Sequence, residues 1–133
     1  MDKFNDLIVY LMAIKNNAKD IHYTCYGDDF YGKHLFADRI AENLSDYIDQ
    51  IKETCILGHD NKVLNSSEYL ARASKCVYKE PTFSTLDELI LNCLELIESF
   101  DEISRGDSKL LDDIANTLQN HRGLLKIMFG DKK

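Results

Sequence analysis

The stretch FYGKHLFADRIAENLSDYIDQIKETCIL, Phe30 to Leu57, decides how the rest of the chain is read. At about 100° per residue, with His34 set at zero, Phe36, Ala37, Ile40, Leu44, Tyr47, Ile48, Ile51 and Cys55 fall in one arc from roughly 200° to 320°. Asp38 lies near ~40°, Asp49 near ~60°, Glu42 near ~80° and Glu53 near ~100°, on the other side. That division marks an amphipathic helix with its apolar arc against a core and its acids outward. Gly58 follows, a good residue just past a helix end. The expectation is one continuous helix, B, over about Phe30–Leu57.

The neighbouring segments read the same way. Helix A is expected over about Lys3–Tyr23, where Phe4, Leu7, Ile8, Leu11, Ile14 and Ala18 form a stripe at helical spacing. Gly27 with Asp28 and Asp29 supplies a turn and an N-cap before helix B. After B come a polar connection, His59 to Ser66, and a short helix around Ser67–Ser74. The run Lys79-Glu80-Pro81-Thr82 is a turn, and Thr85 to Glu88 reads as a capping box opening helix C. Helix C, with its stripe Leu86, Leu89, Ile90, Cys93, Ile97 and Phe100, is expected to reach about Arg105. Gly106 then ends it and Asp107 caps helix D, which carries Leu110, Leu111, Ile114, Leu118, Leu125 and Met128 to about Phe129. Four long helices with one long crossover holding a short helix make an all-α four-helix bundle, a single domain over residues 1–133.

Composition sets bounds on function. Hydrophobic residues make up 44% of the chain, which supports a packed core. The longest apolar run, Leu7 to Ile14, is far too short to cross a bilayer. No secretory or lipidation signal is legible, so the expected compartment is the cytoplasm. The net charge of −7 repels phosphate backbones and favours cations. Lys132 and Lys133 form the only basic tail. Cys25, Cys55, Cys76 and Cys93 are too scattered for a C-x-x-C site and read as reduced thiols.

The outward acids invite a metal reading. His34 and Asp38 stand four apart on a helix, as do Asp49 and Glu53, and either pair can share an ion. The two pairs are centred about 22 Å apart along a straight helix, whereas metal–ligand bonds are about 2 Å long. A second copy of helix B, antiparallel across a two-fold axis level with Asn43 and Leu44, would bring each chain's Asp49 and Glu53 to the other's His34 and Asp38. His22 can complete each site from the end of helix A. An internal di-iron centre is not expected, because no Glu-x-x-His occurs anywhere. His59 and His121 lack evident ligand partners and read as structural.

His22-Tyr23, Gly27, Phe30, His34, Asp38, Asp49 and Glu53 together resemble the ferroxidase signature of Dps-type mini-ferritins. That pattern is H-W, a Gly and a Phe, then H-x-x-x-D and, after ten intervening residues, D-x-x-x-E. The stretch GDSKLLDDIANTLQNHRGLLKIM also resembles the family's last helix. The resemblance implies a ferritin-like bundle assembling into a hollow, usually dodecameric, shell. It implies ferroxidase sites shared across two-fold interfaces, with His22, His34 and Asp38 from one subunit and Asp49 and Glu53 from the other. Carboxylates with imidazole suit Fe(II), and Zn(II) competes for such ligands. The implied chemistry is Fe(II) oxidation by peroxide or dioxygen, storing ferric iron and limiting oxidative damage.

This chain departs from the family in two ways. Tyr23 stands where the family has Trp, and the chain has no tryptophan. Helix A begins almost at Met1, without a Lys-rich extension, so weak or no DNA binding is expected. Glu102, Asp107, Asp112 and Asp113 are candidates for an iron-admitting pore, against the simpler reading of capping and solvated surface. The competing function is a ferritin-like shell or interaction protein that has lost turnover.

Overall fold

Leu7, Ile8, Leu11, Ile14 and Ala18 are all completely buried, and together with Phe4 and Ile21 they make the first helix the centre of the molecule. The computed structural model describes residues 2–129, so Lys132 and Lys133 lie outside the described residues. Helix α1 (Asp2–Thr24) packs against α2 (Phe30–Ala41), α3 (Leu44–Gln50), α4 (Ser66–Ser74) and α5 (Phe83–Glu98). Helix α6 (Arg105–Phe129) lies on α5 and on the segment that continues α3. The fold is an all-α bundle with no strand among the described residues, and no described helix is long and apolar enough to cross a membrane. Each fully buried Leu or Ile contributes about 1.5–3 kcal/mol of hydrophobic stabilisation.

Two buried asparagines tie the crossover to α1. Asn17 Nδ2 donates to the Ala13 carbonyl at 2.8 Å, while its Oδ1 accepts from the Tyr78 N–H at 3.0 Å. Tyr69, the largest fully buried side chain, donates its hydroxyl to Asn5 Oδ1 at 2.7 Å and so anchors α4. Asn65 caps α4, its Oδ1 accepting from the Glu68 N–H at 3.0 Å. The short helix therefore stands where the sequence puts it.

The continuous helix B is corrected. Helix α2 stops at Ala41; Glu42 is extended and Asn43 adopts a left-handed conformation with φ 69° before α3 begins. Asparagine tolerates that region better than most residues, which makes a break at this position inexpensive. After α3 the chain winds as a π-helix over Ile51–Ile56 and then as a 3-10 turn over Leu57–His59. Ile51, Cys55 and Ile56 are all completely buried. Positions five apart stand about 140° apart on an α-helix, whereas i→i+5 winding stacks them on one face. The π turn thus buries Ile51 and Ile56 together and leaves Leu57 outside.

Several helix ends also differ from expectation. The capping box uses Thr82 and Thr85 rather than Thr85 and Glu88: Thr82 Oγ1 accepts from the Thr85 N–H, and the Thr82 N–H donates to Thr85 Oγ1. Helix α5 ends at Glu98, not near Arg105, and a connection containing left-handed Glu102 leads to α6. Asp107 does not cap α6. Ser104 Oγ accepts the Asp107 N–H at 3.2 Å, so the serine takes the capping role. Met128, expected in the apolar stripe, is exposed at the end of α6.

Candidate metal centre

The turn between α1 and α2 brings two histidines face to face. Gly27 takes φ +84°, where an L side chain would be strained, and Asp29 follows in the left-handed region. Asp29 occupies the N-cap position of α2, yet neither it nor Asp28 supplies the expected side-chain cap: no cap hydrogen bond forms there. Its carboxylate folds back over Gly32, where an added Cβ would sit only 2.6 Å from Asp29 Oδ1. Gly32 therefore lets this tight turn close, and the reversal sets His22 of α1 beside His34 of α2.

The imidazoles stack with centroids 3.6 Å apart and planes inclined by 18°. Each anchors the other's backbone. His22 Nδ1 donates to the His34 carbonyl at 2.7 Å, and His34 Nδ1 donates to the His22 carbonyl at 2.6 Å. A carbonyl only accepts, so both Nδ1 atoms are assigned the proton; in each neutral ring the lone pair then belongs to Nε2. This is the tautomer a metal-binding imidazole needs, fixed by an outer hydrogen bond. Phe30 extends the column on the His34 side at 5.3 Å, and Tyr23 meets His22 edge-on at 4.9 Å.

Asp38 lies one turn beyond His34, half-exposed, and Lys19 of α1 holds it: Nζ donates to Oδ1 at 2.7 Å. That hydrogen bond, and then the Lys19 charge, keeps the Asp38 carboxyl below the usual carboxylate range. The α1–α2 end therefore carries two stacked imidazoles and, one turn on, an ionised carboxylate paired with Lys19; imidazole and carboxylate are donor types that Fe(II) and Zn(II) accept. Asp49, in α3, and Glu53, in the π turn, are exposed on the other side of the break. Among the described residues, no three His, Cys, Asp or Glu side chains of one chain form a group able to hold a metal ion.

Sequence reasoning missed Lys19, although its place three residues before His22 puts it on the same face of α1. It also left His59 without a partner. His59 Nε2 and Asp107 Oδ2 are 2.8 Å apart, joining the 3-10 turn to α6 across 48 residues of sequence. Asp107 is only 3% exposed, so it is no surface or pore residue. Burial first, and then Asp107 alongside, pushes the Cys55 thiol up to about 12; burial does the same for Cys93. Both remain inert thiols at neutral pH. His121, read as structural, is indeed buried in the core-facing side of α6. No protein-family model, no curated protein and no solved structure matches this chain.

Proposed function

We propose that this chain is a Dps-like mini-ferritin subunit of the ferritin-like four-helix type. It is a cytoplasmic ferroxidase and iron-storage protein that oxidises Fe(II) with peroxide or dioxygen at sites shared between two copies. The observation that carries this reading is the reciprocal lock between His22 and His34, which fixes the ligand tautomer of both rings at once. His22, His34 and Asp38 form one half of the site. Asp49 and Glu53 of a neighbouring copy supply the other half, and their carboxylates favour Fe(III) over Fe(II) by added negative charge. Tyr23, Tyr26, Phe30, Tyr31 and Leu35 leave apolar surface exposed around the histidines, which is a reason for another copy to cover them. The resemblance implies a dodecamer built from such pairs, and the net charge of −7 disfavours DNA.

In the oxidation each Fe(II) gives up one electron. One hydrogen peroxide takes two electrons and two protons and leaves as two waters, so no hydroxyl radical is released. The imidazoles and Asp38 bind and orient the ferrous substrate, and Tyr23, edge-on to His22, is the nearest oxidisable ring. Adding Fe(II) in air tests the reading: ferric absorbance rises rapidly, and His34→Ala or Asp49→Ala returns the rate to background. The non-enzymatic shell draws support from one observation, the break at Asn43 with the π turn after it. Straight-helix rise and twist then no longer carry Asp49 and Glu53 to a partner's histidines. An intact oligomer with only background iron oxidation would favour that second reading.

A further inference from the structure

A cleft of about 760 Å³ opens where the ends of α1 and α6 meet the starts of α2 and α5. It lies on different residues from the proposed metal ligands and shares only Tyr26 with the apolar surface around the histidines. Buried Ile21 and Leu125 contribute to its floor. One wall is aromatic: Phe83 and Phe129 stack at 4.7 Å with planes 23° apart, and Phe36 lies behind Phe83 at 6.0 Å. The charged side chains lining it are Lys33, Lys126 and Asp87. Arg122 of α6 already satisfies Asp87, through bonds of 2.8 and 3.3 Å to its two oxygens. In a chain of net charge −7, this cleft therefore presents two ammonium groups beside an apolar, aromatic wall. Its volume falls within the range of about 300–1,000 Å³ typical of small-molecule sites.

We infer that the cleft binds a small aryl carboxylate, its ring extending the Phe83–Phe129 stack and its carboxylate held by Lys33 and Lys126. Offset or face-packed rings favour an aromatic body over a flexible chain, which loses more freedom on binding. The test is calorimetric titration of the full chain with 2-naphthoate, 2-naphthalenemethanol and dodecanoate, repeated on the Lys33→Met/Lys126→Met variant. Lys126 is exposed and Lys33 partly buried, both lie outside the core, and helical circular dichroism verifies that the variant folds. One 2-naphthoate binds per chain. The neutral alcohol, and 2-naphthoate with the double variant, bind about tenfold more weakly or worse, as expected for losing a charge-assisted contact. Amide shifts on titration centre on Thr24, Lys33, Ser84 and Lys126. Equal affinity for the alcohol, unchanged affinity in the variant, or shifts centred elsewhere would overturn the site. Tighter binding of dodecanoate would overturn the aryl assignment.

Discussion

On the proposed metal reading, Lys19 and a metal ion would compete for the same carboxylate. The ammonium lies 2.7 Å from Asp38 Oδ1, so an ion drawing on that oxygen must displace it. Lys19→Met is therefore expected to tighten Zn(II) or Co(II) binding about tenfold, the scale of one charged hydrogen bond; Co(II) absorption titrations measure it. Weaker binding in that variant would place Asp38 outside the site. His121 makes a different prediction. Its Nδ1 is buried without a partner, and burial, helped by the Arg39 charge, lowers its pKa. The unfolded chain then takes up this proton first, near its ordinary value of about 6.5. Stability is full above that value and is lost as pH falls towards the lowered native value. Urea unfolding at pH 7.5 and 5.5 is expected to show a smaller loss in His121→Phe than in the parent chain. At this scale the histidines and acids were legible from residue type and spacing. The Lys19–Asp38 and His59–Asp107 contacts were not, because each joins elements whose packing no local pattern records.

The limb from Phe30 to His59 shows where periodicity stops being informative. Within α2 the angular reading holds: Phe36, Ala37 and Ile40 are buried and Asp38 points outward. Beyond Asn43 the same positions still sort as read, with Leu44, Ile51 and Cys55 buried and Asp49 and Glu53 exposed. Periodicity does not show, however, that one left-handed residue and one π turn interrupt the helix between them. Ile56 and Leu57 separate the two descriptions. A straight helix in register with Ile40 turns Ile56 towards solvent, but the π turn buries it fully while Leu57 stays 55% exposed. Ile56→Ala should cost about 2–5 kcal/mol by leaving a cavity, and Leu57→Ala about 0.5 kcal/mol or less. Urea denaturation decides between them, and similar small costs for both would restore the continuous helix. The cap of α5 teaches a related lesson. Thr82 and Thr85 sit three apart and bond reciprocally, so the helix starts a turn before the more familiar Thr–Glu signature.

For the whole molecule, helical class and the order of elements followed from the stripes of α1, α5 and α6, because their buried positions recur at a steady period. The arrangement around the histidines needed three dimensions: the Gly27 reversal, the stacked rings and the paired carbonyl bonds have no signature in one. The acidic surface suits a protein that gathers cations, and Asp49 and Glu53 stand exposed rather than joined to the histidines of their own chain. A site divided between copies has a distinctive consequence when two inactive variants are mixed. In a pair of His34→Ala with Asp49→Ala, one shared site carries both lesions and the other carries neither. Co-refolding the two variants in equal amounts, followed by Fe(II) in air, is the most direct measurement. Random pairing should restore about one quarter of the parent activity per chain, since half the pairs are mixed and half their sites intact. Variants that co-assemble yet stay at background, beside an active parent protein, would contradict a site built by two copies.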